Sequence, residues 1–320
     1  MKNTFGKAAF AIGFLALLGI IAVGFSLTIE EYTLLAEEHD GLFPAEERVD
    51  IGACENGSKA EVRNFVIEGE AADAIPILTY HRVLSKEDIK DTHYINGEIS
   101  SMIVFTEEFE QQMNYLYENG FETLTMKELY AYLNEEIEIP DKSVVITFDD
   151  GFKDNYEEAY PILKKYGFNA TNFIVTGAIT NKRYSFSPEL AQYFSLKEME
   201  KACDVFDFQS HTYSYHKRDK GKPLNEWGVH PAYLVSKSNE EVYNDIKTSV
   251  HNLNGENLGF AYPYGEYTPD TISTLKDLGF KMAFTVEDKV ATRDHHIYEI
   301  PRFQIYHNVS LDAFIDRVKQ

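Results

Sequence analysis

In VVITFDDGFKDN (residues 144–155) an apolar run ends on two adjacent carboxylates, Asp149 and Asp150, followed at once by Gly151. Neighbours on a regular strand point to opposite faces, so such a pair should not share a site. Gly151 removes the obstacle, because a residue without Cβ lets the backbone leave the pleat and turn both carboxylates toward one mouth. A second polar group, SHTYSYH (210–216), follows the apolar Val205-Phe-Asp-Phe and sets His211 and His216 five residues apart. On a helix that spacing splays the rings; a loop can converge them. Neutral imidazole is the commonest ligand for zinc-like ions, and a carboxylate supplies charge. Two His and one Asp, with coordination positions left open, make a catalytic rather than a structural metal site. An isolated Asp-Asp-Gly is more simply a strand-ending turn, and a lone His pair more simply packed side chains. Their joint occurrence at two strand ends is what points to a metal. His81 and Tyr262 fall at two further predicted strand ends.

The elements that must position these groups alternate. Apolar runs predict strands over 75–80, 143–148, 170–175, 205–209, 258–261, 281–285 and 303–306. Between them the helical period appears at 106–119, with Thr106 as N-cap and Phe109, Met113 and Leu116 on one face, and at 125–133, 155–166, 195–202, 240–253, 268–278 and 311–318. Gly120, Gly167 and Gly279 close three of these helices. Strands alternating with helices make an α/β protein with a parallel sheet wrapped by helices. Roughly seven or eight strands suit a distorted or incomplete (β/α) barrel, in which catalytic residues gather at the C-terminal strand ends. Residues 217–239 break the rhythm as a long loop and carry the single Trp.

The formal charge of −22 excludes a nucleic-acid binder, since phosphate contacts need a basic face. Lys2 and Lys7 precede twenty apolar or small residues, Ala8–Leu27. As a helix these rise roughly 30 Å, enough to cross a bilayer. The positive flank predicts a cytoplasmic N-terminus and an exported remainder, with residues 1–28 as a transmembrane anchor; a signal sequence cleaved near Ala22-Val-Gly24, which would leave the remainder secreted, is the alternative. Residues 29–73, rich in acidic groups and without periodicity, read as an extracellular spacer, and 74–320 as the catalytic domain. Cys54 and Cys203 fit no metal pattern, and their spacing leaves a disulfide open.

TFDDG (147–151), SHTYSYH (210–216) and FAYPYG (260–265) resemble the first three motifs of the polysaccharide deacetylases with a NodB-type domain (carbohydrate esterase family 4). LTYHRV (78–83), GFETLT (120–125) and IPRF (300–303) add to the likeness, which covers about residues 74 to 318. The five-residue His spacing and the early Tyr-His element look most like the subgroup acting on poly-β-1,6-N-acetylglucosamine of biofilm matrix. The resemblance implies that Asp150, His211 and His216 bind one divalent ion, zinc first, with nickel, cobalt and iron accepting the same donors. It implies Asp149 as general base and His81 as general acid, with His307 its rival. It further implies that the Tyr264 backbone N–H or a neighbour steadies the oxyanion. Tyr213, Tyr262, Pro263 and Tyr264 are the candidate substrate contacts.

Two departures bear on this. Tyr262 stands where the third motif usually begins with an Arg that orients the base, and tyrosine offers no bidentate charged contact. The fourth motif is missing, with Asp288 and Asp294 as its only candidate stand-ins. The expectation is a membrane-attached, extracellular, monomeric deacetylase of N-acetylglucosamine polymer. A peptidoglycan or chitin-oligomer deacetylase, or a sugar-binding relative without catalysis, are the alternatives. A glycosidase fits poorly, because its carboxylates must stand about 5–9 Å apart across the scissile bond.

Overall fold

A computed structural model of the chain describes residues 41–50, 61–67, 69–254 and 257–320. The anchor expected over residues 1–28 lies outside the described residues, among which no helix is long and apolar enough to cross a membrane. Cys203 is disulfide-bonded; Cys54 also lies outside the described residues.

Eight strands among the described residues form one sheet: β1 (Ile77–Tyr80), β2 (Glu122–Thr123), β3 (Ser143–Asp150), β4 (Ala170–Ile174), β5 (Phe206–Ser210), β6 (Gly259–Ala261), β7 (Met282–Phe284) and β8 (Phe303–Gln304). Their order is β7-β6-β5-β4-β3-β1-β8, with β2 beside the start of β3, and every pairing is parallel. A parallel bridge between Phe284 and Ile300 draws the two edges together. The result is the curled, incomplete barrel that the alternation predicts. Parallel strands require crossovers, and helices supply most of them: α1 (Thr106–Glu118), α2 (Met126–Leu133), α3 (Tyr160–Tyr166), α4 (Leu196–Ala202), α5 (Asn239–Asn252), α6 (Pro269–Asp277) and, closing the chain, α7 (Leu311–Val318).

All eight residues of β3 are buried, as befits a strand covered on both faces. Val144, Ile146 and Phe148 pack in one cluster with Phe109, Met113 and Leu116 of α1. Val145 instead joins Ile77, Phe173, Ala261 and Phe284 inside the barrel. Each such side chain is worth about 1.5–3 kcal/mol when fully buried. The inward row Val145, Thr147, Asp149 therefore runs from an apolar floor to a polar mouth, with Thr147 Oγ1 3.1 Å from Thr79 Oγ1.

One local expectation is corrected. The N-cap of α1 is Phe105, not Thr106, whose hydroxyl donates to Glu158 Oε2 (3.0 Å). The compact unit that holds the sheet runs from Leu42 to Gln320. Phe43 and Val49 sit in the core, and Arg63 grips Glu128 through Nε (2.6 Å) and Nη2 (2.9 Å). Single apolar residues inside an acidic run leave no period to detect, so the packing of this segment is invisible in its pattern.

Candidate active site

Asp149 sits at the end of the inward row, and Arg302 meets it from the stretch just before β8. Nη1 and Nη2 donate to Oδ1 and Oδ2, both at 2.8 Å. Nη1 also donates to Thr147 Oγ1 (3.2 Å), and Nε donates to Thr285 O (3.1 Å). The rings of Phe173 and Phe284 stand 5.4 and 5.8 Å from the guanidinium carbon, and Arg302 is 0% exposed. Burial alone would raise the Asp149 pKa; the Arg302 charge and fork overcome it and hold the carboxyl below its ordinary range. The arginine missing at Tyr262 is thus supplied by the IPRF segment.

Asp150, by strand alternation, should point into the helix layer. Its φ of +75° turns it instead, and Gly151 follows at +81°. The break from the pleat therefore starts one residue earlier than the glycine. Gly151 is needed for a second reason, since a Cβ there would lie 2.8 Å from Ile174 Cγ2. Thr212 (+82°) and Tyr264 (+59°) also hold left-handed conformations. Such residues cost about 1–3 kcal/mol each and persist where the surroundings over-determine them.

His211 follows β5 directly, and its Nδ1 lies 2.7 Å from Ala261 O. A carbonyl only accepts, so Nδ1 carries a proton, which leaves Nε2 as the nitrogen that can ligate. The loop 212–216 brings His216 back until the two rings are 4.8 Å apart. Both Nε2 atoms face Oδ1 of Asp150, at 3.5 Å from His211 and 3.1 Å from His216. That Oδ1 is buried with no hydrogen-bond donor aligned on it. One atom from each of the three residues lies within 4.8 Å of the others. Burial presses the His216 pKa down to about 4 against the pull of Asp150, so the ring is neutral near pH 7. Burial would raise the Asp150 pKa, but the positive charge that His216 and the other neighbouring imidazoles take up on protonation more than reverses it, so the carboxyl ionises before they titrate. An orphaned, buried carboxylate oxygen faced by two imidazole Nε2 atoms fits a divalent cation of the zinc type.

His81 follows β1 directly and is 8% exposed, with its Nδ1 unpartnered. Burial lowers its pKa, while the charges of Asp150 and Asp149 oppose that shift, which places it at the same mouth. His307 lines a cavity with Gln112, Asn308 and Ser310; its backbone N–H donates to Ile103 O (3.0 Å), and its Nδ1, like that of His81, is buried without a partner. Asp288 pairs with Arg317 on the surface, and Asp294 is exposed, so neither takes over the fourth motif.

The aromatic candidates separate. Tyr262 is 0% exposed, stacks on Tyr267 and donates to Tyr298 O (3.0 Å), so it packs and cannot touch a ligand. Pro263 is buried as well. Tyr213 turns away to donate to Phe43 O (2.7 Å). Tyr264 alone is exposed at the mouth, its ring 4.6 Å from His216 and 4.1 Å beneath the Arg218 guanidinium. Tyr193, which sequence patterns do not single out, stacks on Phe152 and also feels the Asp150 charge. It comes from an irregular stretch after β4, where no period marks it.

Residues 136–283 match the family model for polysaccharide deacetylase. The chain is 34% identical over 270 residues to the poly-β-1,6-N-acetyl-D-glucosamine N-deacetylase of Staphylococcus epidermidis, covering 82% of this chain and 88% of that one. To the enzyme of the same name in Staphylococcus aureus it is 32% identical, over 76% of this chain and 81% of the other. Among solved structures it resembles the Streptococcus pyogenes deacetylase PplD in complex with acetate, with TM-score 0.61, 29% identity and coverage of 77% and 99%. It also resembles IcaB from Ammonifex degensii, with TM-score 0.59, 26% identity and coverage of 78% and 99%.

Proposed function

Since this chain belongs to the polysaccharide deacetylase family and is by that membership a hydrolase of amide bonds, we propose that it removes acetyl groups from poly-β-1,6-N-acetylglucosamine with one bound divalent ion. The observation that carries the reading is the joint geometry at the barrel mouth: a cluster of Asp150, His211 and His216 beside an ionised Asp149 clamped by Arg302. The names of the staphylococcal relatives support the β-1,6 polymer. The apolar run behind Lys2 and Lys7 supports attachment at the outer face of the cytoplasmic membrane.

Asp150, His211 and His216 would hold the ion, zinc first among the metals that accept this donor set. Once bound, the ion supplies Lewis acidity to an acetamide carbonyl and lowers the pKa of a water molecule. Asp149 is the general base: the attacking water gives it a proton as its oxygen bonds the acetyl carbon. Arg302 keeps both Asp149 oxygens oriented and ionised for that task. The Tyr264 N–H is assigned to the oxyanion, the strained backbone there fixing its direction. His81 then acts in its protonated form, which the Asp150 and Asp149 charges favour against burial, and donates to the amine nitrogen as the carbon–nitrogen bond breaks, leaving acetate and a free amino sugar. Tyr264 and Tyr193 line the entrance and offer ring faces to a sugar.

Acetate release from β-1,6- and β-1,4-linked N-acetylglucosamine oligomers, with and without chelator, tests the reading. Release from the β-1,6 oligomer, lost on chelation and restored by zinc, is expected. Metal binding without acetate from either oligomer would overturn it, and release from β-1,4 oligomers alone would redirect it to peptidoglycan or chitin. The choice of acid is tested separately. His81→Ala is expected to lower kcat by about 10²–10⁴-fold, the usual worth of a positioned acid. His307→Ala should leave kcat near wild type; the reverse pattern would exchange the two roles.

A further inference from the structure

Helix α5 has an unusual buried face. Val242 and Ile246 pack apolar, but Asp245, Ser249 and Asn252 are buried beside them. Their spacing of four and then three residues puts all three on one stripe. Burying such groups is costly unless each finds partners. Apart from a Ser249 Oγ bond to Ile246 O within the helix (2.8 Å), the partners lie on the His211–His216 loop, on Thr176 or in the segment 44–47. Asp245 Oδ1 accepts from the Tyr213 N–H (3.0 Å), while its Oδ2 accepts from the Ser214 N–H (2.8 Å) and hydroxyl (3.1 Å). Ser249 Oγ lies 2.6 Å from Ser210 Oγ, which accepts from the Thr212 N–H (3.2 Å). Asn252 Oδ1 accepts from Thr176 Oγ1 (3.0 Å), and its Nδ2 donates to Glu47 O (2.6 Å).

The other side of the loop is tied as well. The carbonyls of Thr212 and Tyr213 accept from the N–H groups of Thr176 (3.0 Å) and Gly177 (2.8 Å). The Tyr213 hydroxyl holds Phe43 O in the segment that Asn252 grips from below. Neither Asp245 nor Ser249 belongs to the His–Asp cluster. The loop therefore has its N–H groups fastened to α5 and its carbonyls to residues 176–177, with Thr212 held at positive φ between them.

We propose that the polar stripe of α5, with Asp245 at its centre, is the device that converges His211 and His216 on Asp150. Asp245 is in this sense a positioning residue for His216, and the inference rests on the reading of those three residues as metal ligands. A five-residue His spacing has no regular geometry of its own, so the convergence must come from outside the loop. A carboxylate accepting three hydrogen bonds over two consecutive residues supplies it.

The test is metal affinity of the apo protein by chelator competition, with the cobalt absorption spectrum as a signature of coordination geometry. In Asp245→Asn an amide NH₂ opposes the Ser214 or the Tyr213 donor. Affinity for zinc is expected to fall about 10–100-fold, as for other partners that orient ligands from behind, with an altered cobalt spectrum and an apo melting temperature near wild type. Wild-type affinity and spectrum in a folded Asp245→Asn would overturn the proposal. Should that variant fail to fold, Ser214→Ala, which deletes one of the three bonds, decides: weaker binding with a changed spectrum sustains the proposal, and unchanged binding ends it. Failure of the wild-type protein itself to bind zinc would instead strike at the metal-site reading.

Discussion

Asp149→Asn is expected to reduce acetate release by about 10²–10⁴-fold in kcat while divalent-metal binding persists. The amide keeps the shape of the carboxylate but cannot take a proton from water. The cluster atoms belong to Asp150, His211 and His216, so the affinity measured by chelator competition should stay close to wild type. A secondary effect is unavoidable. Arg302 is fully buried and places both Nη groups on Asp149, so the amide presents an NH₂ to one donor and leaves the guanidinium charge uncompensated. Breaking one side of a buried pair costs about 3–5 kcal/mol, and a lower melting temperature should accompany the loss of activity. Metal affinity and the folded far-UV spectrum separate lost chemistry from lost structure. A folded, metal-binding Asp149→Asn that retains wild-type turnover would remove Asp149 from the base role.

Arg302→Met carries the second large effect, with a pH signature. In the wild-type protein burial raises the Asp149 pKa and Arg302 more than reverses it, so the folded value lies below the unfolded one. Such a group contributes stability above its unfolded pKa and loses that contribution as pH falls through the folded value. Without Arg302, burial acts with only the nearby imidazoles opposing it, and the folded pKa rises above the unfolded one. The sign then inverts: the carboxyl is destabilising when ionised near pH 7 and relieved by protonation on acidification. The stability deficit of Arg302→Met relative to wild type should therefore be largest near neutral pH and shrink toward acid. The acid limb of kcat/KM should move to higher pH, because the base must be ionised to act. Chemical denaturation at several pH values and a pH–rate profile measure both; an unmoved acid limb would detach Arg302 from the base.

The fold was legible because its signals are periodic. Strands 143–150 and 170–174 and helices 126–133 and 311–318 lie where apolar spacing puts them, within a residue or two. Glycines and capping residues mark their ends, as Thr125 and Gly167 do. The Asp-Asp-Gly and His-x4-His patterns were legible for a related reason: metal ligands must come from a short set of side-chain types. Arg302 lies in the IPRF motif, but nothing local says which residue, some 150 positions earlier, it will face. Asp245 shows in the sequence only as part of a helix, because one polar residue on an apolar stripe looks the same as a misplaced surface residue. The packing of Phe43 and Val49 has no period at all.

Composition and pattern by themselves determined an α/β barrel, an acidic chain, and a tandem acid and a His pair at two strand ends; which acid joins the two histidines came from the resemblance of the motifs to the deacetylase family. The tertiary structure decided how those residues come to share a site. Asp150 turns out of the strand at positive φ, the His loop is drawn in by Asp245, and Asp149 is clamped by Arg302 from the far edge of the sheet. The division has a physical reason. Residue type and local period set what each side chain can do and which element it rides on. The left-handed turns and buried ion pairs that aim the side chains are unfavourable alone, and are held only by contacts that exist after the chain has folded.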